Sequence, residues 1–209
     1  PYVIGHILEN ELGVIGAVSD GYAAYQGSGY SPWKYALTVD KKVGSKKLIE
    51  GIASASPFIP RFDNMGNFKC DVIKQVYTSS DHEIKESEVI NFSFKRTLVE
   101  QVCTKIEFKY NWDYARKEFS NSRILDIQNW ACANPDGYFE SFDYYGIPDD
   151  HSESTLVIDD DRGKYIRSDD TAERFVCWMM SWYCNQHIIM KVKLPLSVGL
   201  KIEIGEIVE

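Results

Sequence analysis

The sequence predicts an α+β protein that is rich in β-strands, and three observations carry this prediction. Aromatic residues make up 13% of the chain, as thirteen Tyr, ten Phe and five Trp, and flat side chains favour strands. Apolar and polar residues alternate in Ile90–Phe94 and Val102–Tyr110, which is the period of a strand with one solvated face. An apolar stripe of helical period runs from Ala172 to Tyr183.

The first predicted element is a short amphipathic helix. Ile4, Ile7 and Leu8 have helical spacing, and Gly13 is placed to end the helix. Residues 13–32 then hold five glycines among Ala, Ser and Tyr, a composition typical of a mobile loop. The chain is therefore expected to begin with a helix and a Gly/Tyr loop.

A strand and a second helix are predicted next. Alternating residues predict a strand at Trp33–Val39. Ser45 is a suitable N-cap for a helix whose apolar stripe lies in Leu48–Ala53. Pro57 is expected to end this helix, because proline disfavours the helical conformation of the residue before it.

A β-hairpin and a linker complete the first half of the chain. The hairpin strands are predicted at Phe58–Phe62 and Asn67–Tyr77, and the turn at Asp63–Gly66 supplies the positive φ that a tight turn needs. The polar segment Thr78–Glu88 is the predicted linker. It divides the chain into a small α+β domain, residues 1–85, and a β-rich domain, residues 86–209.

The end of the chain has the clearest pattern. Within residues 111–165 only Leu156–Ile158 is a clear strand. Ser168, followed by two aspartates at the positive end of the dipole, predicts a helix that runs to about Gln186. Strands are predicted after it at Ile188–Leu194 and Leu200–Val208.

The two termini favour a fragment of a longer protein. The chain begins at Pro1, without a charged signal-peptide segment. Its last residues, Gly205–Glu209, continue the pattern of a predicted strand. We therefore expect this chain to be an internal piece.

Charge and the length of the apolar runs argue against two kinds of partner. The net charge is −8 and the pI is near 5.1. An acidic surface gains little from counterion release on nucleic acid and is repelled by anionic lipid. No apolar run approaches the ~20 residues of a spanning helix. We expect neither specific nucleic-acid binding nor membrane insertion.

Cysteine and histidine usage predicts no disulfide, metal or cofactor. The five cysteines are odd in number and form no Cys-x-x-Cys, which favours buried free thiols in a reducing compartment. The four histidines lack metal-ligand spacing. The acidic stretches 149–153 and 159–161 lack the ligand pattern of a calcium loop.

Catalytic motifs are absent from the sequence, and this favours a protein that is not an enzyme. There is no Gly-x-Ser-x-Gly elbow, phosphate-binding loop or dinucleotide fingerprint. A glycan hydrolase remains the alternative, because its two carboxylates, about 5–10 Å apart, leave no sequence motif. Glu140 and Asp143, among aromatic neighbours, are the candidate pair.

The loop Tyr22–Trp33 allows a further alternative. Tyr combined with Gly and Ser is typical of recognition loops, and it is equally typical of a loop between subunits. A non-catalytic receptor-binding or glycan-binding module is therefore also open.

Three stretches resemble the phage tail-hub and tail-tip proteins that cap the tail tube. Ile90–Thr97 with Lys105–Tyr110 resembles a strand pair that recurs in these proteins. Arg61–Phe68 resembles their hairpin, which has an Asp-x-x-Gly turn. The block Tyr165–Val208 resembles their helix that leads into a barrel strand and closes on a Leu-x-x-Gly-Asp-x-Val turn, with Glu206 where Asp is usual.

This resemblance runs from about Trp33 to the end of the chain and implies an assembly role. It implies that the second domain is β-barrel-like with one amphipathic helix, residues 168–186. Hub proteins of this kind associate as trimers around a ring-like inner face that joins the tail tube to the tip. The implied partners are other copies of the chain and other tail proteins. The implied location is the phage tail, after synthesis in the bacterial cytoplasm.

The interface candidates under this hypothesis are large aromatic residues, some of them in the loop Tyr22–Trp33. Aromatic side chains are enriched where subunits meet. The candidates are Tyr22, Tyr25, Tyr30, Trp33, Trp112, Tyr114 and Trp130.

Overall fold

The computed structural model describes residues 2–14, 33–39, 41–63, 65–73, 79–127 and 154–209. The described helices are α1 (Tyr2–His6), α2 (Ser45–Ser54), α3 (Asp169–Tyr183) and α4 (Leu196–Gly199). The described strands are β1 (Phe58–Phe62), β2 (Phe68–Val72), β3 (Asn91–Arg96), β4 (Lys105–Asp113), β5 (Glu118–Asp126), β6 (Thr155–Ile158) and β7 (Ile188–Lys193). This mixture agrees with the α+β prediction.

The described strands form three small sheets, and none of them closes into a barrel. Strands β1 and β2 pair with each other, as do β3 and β7, and the third sheet has the order β5-β4-β6. The chain divides into two compact units. The first contains residues 1–31, 43–95 and 190–209, and the second contains residues 32–42 and 96–189. A domain boundary near residue 85 stays a prediction.

Apolar helix faces and the predicted hairpin build the core of the first unit. Helix α1 continues into a π-helical turn, Ile7–Glu11, and Gly13 ends it at a φ of +69°. Helix α2 is capped by Gly44 instead of the predicted Ser45, which is its first residue. These elements and the hairpin bury the core side chains Ile4, Leu8, Ile49, Ile52, Phe58 and Val72.

The β1–β2 hairpin has the predicted turn. The Asp63 carboxylate accepts the backbone N–H groups of Met65 and Asn67 at 2.9 and 2.8 Å. Gly66 has a φ of +85°, which costs a residue without a Cβ little. Strand β2 ends at Val72, before the predicted end at Tyr77, and residues 74–78 lie outside the described residues.

The second unit packs α3 on the three-stranded sheet. Strand β4 pairs antiparallel with β5 and parallel with β6. Its alternate residues Ile106, Phe108 and Tyr110 are buried, and the Phe108 ring lies 4.5 Å from that of Phe175 on α3. The apolar stripe of α3 and the alternate apolar residues of β4 therefore meet in one core.

Two predicted strands are wrong. Residues 33–39 form no sheet ladder, because side chains take part of their backbone bonding: Lys34 N–H donates to Thr171 Oγ1 and Thr38 N–H donates to the Tyr114 hydroxyl. Residues 200–208 form turns and one bridge, His82 with Val208. Gly205, at a φ of +93°, interrupts any extended run there.

None of the described helices is long and apolar enough to cross a membrane.

Candidate functional site

The most exposed regular structure among the described residues is a two-stranded ribbon, most of which belongs to the first unit. Strands β3 and β7 hydrogen-bond to each other, and Ile90 N–H donates to the Lys193 carbonyl at 2.9 Å. Every residue of both strands is exposed. We define the ribbon surface as residues 90–95 and 190–193, all of which belong to the first unit.

The ribbon surface carries large apolar side chains that are exposed to solvent. Phe94 is 66% exposed, Phe92 is 61% exposed and Met190 is 60% exposed. Ile90 and Val192 are exposed as well. Several large exposed apolar side chains on one short element mark an interaction site more often than a single one does. A two-stranded ribbon is also marginally stable in water by itself, so a covered state would stabilise it.

The ribbon surface is basic in an acidic chain. It carries Lys95, Lys191 and Lys193 and no carboxylate, whereas the whole chain has a net charge of −8. Among the described strands, β3 and β7 each pair with one neighbour. Within the described part of the chain, each strand therefore has one edge that pairs with no other strand, and such an edge can accept a further strand.

The predicted interface residues that are described lie in the second unit and are half-buried. Trp112 packs edge-on against Phe119 at 4.9 Å, and the Lys164 ammonium lies 4.6 Å from the centre of its ring. The Tyr114 hydroxyl donates to the Thr38 carbonyl at 3.2 Å. Trp33 is also half-buried. Contacts within the chain thus occupy part of these side chains, and their role at an interface stays a prediction.

The remaining sequence candidates lie outside the described residues. They are the interface candidates Tyr22, Tyr25, Tyr30 and Trp130, and the carboxylate pair Glu140 and Asp143.

Sequence reasoning predicted the strands of the ribbon but not its exposure. Alternation of apolar and polar residues is the same whether the apolar face packs on the chain's own core or on a partner. One signal was available: Met190, Lys191, Val192 and Lys193 alternate cationic and apolar residues. Lysine in a strand is typical of an edge that meets water.

The thiols of the described cysteines are held in the neutral form. Burial raises the pKa of Cys184 to about 11, and it also raises the pKa of Cys70, Cys103 and Cys177. Because the thiolate is the nucleophile, these cysteines are poorly suited to covalent catalysis at neutral pH. In the part of the chain that the structure describes, no group of His, Cys, Asp and Glu could hold a metal ion.

No protein-family model matches this chain, and no curated protein is significantly similar to it.

Proposed function

We propose that this chain is a structural component of a phage tail tip or hub, and that the ribbon surface binds a second copy of the chain. The exposed apolar ribbon is the observation that carries this proposal. The resemblance of the hairpin, the strand pair and the closing block to tail-hub proteins supplies the biological setting. The chain acts in the tail of the virion, with other tail proteins as further partners.

Burial of apolar surface supports an occupant for the ribbon surface. Phe92, Phe94 and Met190 are each more than half exposed. Fully covering one such side chain contributes on the order of 2 kcal/mol. Contact between ordered strands costs little further ordering of the backbone, which lowers one of the entropic costs that association must overcome.

Charge supports another copy of this chain as the occupant. The charged residues of the ribbon surface are all lysines, three in number, and a second copy offers a surface with net negative charge. Complementary potentials accelerate encounter and fix the orientation of partners. The open edges of β3 and β7 allow strands to be added on assembly, which extends the ribbon toward the barrel-like sheet that the resemblance implies.

The test removes the apolar side chains and keeps the strands. Phe92→Thr with Phe94→Thr introduces β-branched residues, which favour strands as aromatic residues do. Sedimentation equilibrium over a wide concentration range is expected to show association of the unmodified chain and its loss in the double variant. Met65→Thr is the matched control, because Met65 is 84% exposed in the hairpin turn, outside the ribbon surface.

Two outcomes would overturn the proposal. One is an unmodified chain that stays monomeric at every concentration. The other is association that survives in the Phe92→Thr and Phe94→Thr double variant, because the contact between copies would then lie outside the ribbon surface. Far-ultraviolet circular dichroism of each variant separates loss of association from loss of fold.

A further inference from the structure

The second unit contains a pocket of about 400 Å³ that plays no part in the proposed assembly. It lies where the 3₁₀ turn Val99–Gln101, the start of β6 and the end of α3 come together. All its lining residues belong to the second unit. The volume is within the range of pockets that hold small molecules.

A flat aromatic pair forms one wall of the pocket. The rings of Trp182 and His187 are stacked, with centres 4.3 Å apart and planes 19° from parallel. The Trp182 side chain is 53% exposed. A sugar ring can stack on an exposed indole through its C–H groups, because the indole is large, flat and weakly hydrated.

The aromatic wall is held in place before any ligand arrives. The His187 backbone N–H donates to Thr97 Oγ1 at 2.9 Å, and its ring nitrogen Nε2 hydrogen-bonds to the Trp182 carbonyl. Gln186 Nε2 adds a bond to the Thr97 carbonyl at 2.6 Å. A prearranged site loses little conformational entropy on binding.

Other lining residues supply hydrogen-bonding groups suited to hydroxyls. Glu100 contributes a carboxylate, which accepts from hydroxyl groups, and Gln101 and Asn185 contribute amides, which donate and accept. Gln101 Oε1 accepts the Leu98 N–H at 3.3 Å, which fixes the orientation of that amide. The aromatic ring of Trp182 and these polar groups together match a ligand that has an apolar C–H face and several hydroxyl groups.

The charge of the lining selects against anions. Among its described residues the pocket contains no Lys or Arg, and Glu100 is its one carboxylate. A phosphate or acidic sugar would meet a like charge without a cation to balance it. Glycoside hydrolysis usually needs two carboxylates at the scissile bond, so the lining fits binding without cleavage.

We propose that this pocket binds a neutral hexopyranose unit of a saccharide, with the sugar ring on Trp182 and its hydroxyls on Glu100 and Gln101. This inference does not depend on self-assembly through the ribbon surface. It adds glycan recognition to a structural protein and assigns it to a site that sequence motifs did not indicate.

The test uses saturation-transfer NMR and titration of tryptophan fluorescence with glucose, galactose, mannose and N-acetylglucosamine. At least one of these sugars is expected to bind. Trp182→Ala is expected to weaken binding about tenfold or more, since an aromatic stacking contact contributes roughly that factor. Glu100→Gln keeps the shape of the pocket and is expected to weaken binding several-fold, because hydrogen bonds to a charged acceptor are the stronger ones.

Trp178→Ala is the matched control, because Trp178 lies on the same helix and does not line the pocket. The Trp178→Ala variant is expected to bind the sugar with the same affinity as the unmodified chain. The proposal is overturned if none of the four sugars binds, if Trp182→Ala binds as well as the control, or if a di- or trisaccharide is cleaved. Thermal unfolding of each variant identifies a loss of binding that arises from a loss of fold.

Discussion

Gly163 occupies a position in the second unit where no side chain fits. It is buried in the 3₁₀ turn Asp161–Lys164. A Cβ added there would lie 2.1 Å from the Lys109 carbonyl oxygen and 2.8 Å from the Phe119 ring. The first of these neighbours is backbone of the central strand β4, which cannot move without disturbing the sheet.

Gly163→Ala is therefore expected to destabilise the second unit by about 3 kcal/mol, the upper part of the range for overpacking a core. The midpoint of urea unfolding, followed by circular dichroism, measures this loss. Gly199→Ala serves for comparison, since a Cβ there meets nothing within 4 Å, and its effect is expected to be under about 1 kcal/mol. Equal midpoints for the two variants would contradict the clash.

Asp63 links the stability of the hairpin to pH. The backbone N–H of Asn67, with that of Met65 and the nearby Lys69, lowers the pKa of the Asp63 carboxyl. A carboxyl whose folded pKa is depressed stabilises the fold above its unfolded pKa of about 3.9. That stabilisation is lost as the pH falls through the lower, folded value.

We therefore expect the melting temperature to fall on acidification below about pH 4, with Asp63 as one contributor. Asp63→Asn keeps an oxygen acceptor for the turn but removes the titration, so it is expected to flatten the pH dependence. Differential scanning calorimetry from neutral to acidic pH measures the slope. A slope unchanged by Asp63→Asn would show that the charge of this carboxylate contributes nothing.

At the scale of elements, the β3–β7 ribbon combines an apolar surface with a local positive charge. Lys191→Glu with Lys193→Glu is expected to weaken self-association several-fold, because each surface charge contributes about 0.2–1 kcal/mol and here its sign is reversed. The same change in net charge is made at exposed positions outside the ribbon by Lys47→Glu with Lys201→Glu.

Sedimentation equilibrium of the two double variants shows whether association depends on the position of the lysines or only on the net charge of the chain. Only the ribbon pair is expected to associate more weakly than the unmodified chain by several-fold. Its defect is expected to shrink in high salt, where charges more than about 3–8 Å apart are screened. If both double variants self-associate to the same extent, the hypothesis of charge complementarity at the ribbon is wrong.

Helices and strands whose residues follow a regular apolar period were predictable from the sequence. Elements whose structure depends on contacts with residues distant in sequence were not. Helix α3 and strand β7 lie within the predicted ranges. Strand β5 was not predicted, because the turn before it contains no glycine and places Lys117 at a φ of +59°. Residues 33–39 alternate like a strand, but side chains distant in sequence accept two of their backbone N–H groups and the Tyr165 carbonyl accepts a third.

For the whole molecule, composition and periodicity indicated a mixed fold but not how the chain is divided. Each compact unit draws on separated segments of the chain, and such long-range pairing leaves no local sequence signal. The pocket was missed for the same reason: Glu100 and Trp182 are far apart in sequence, and neither belongs to a recognisable motif. The exposure of the ribbon also depends on the whole fold.

The three lysines of the ribbon surface constrain the symmetry of any assembly that uses it. Two ribbons placed face to face across a two-fold axis would bring like charges together, which is unfavourable. The ribbon of one copy must then bind a different, acidic surface on the next copy. Head-to-tail contacts of this kind close into rings when the rotation between copies permits, and otherwise they grow into open filaments. A three-fold ring is the smallest ring beyond a pair that this arrangement can close.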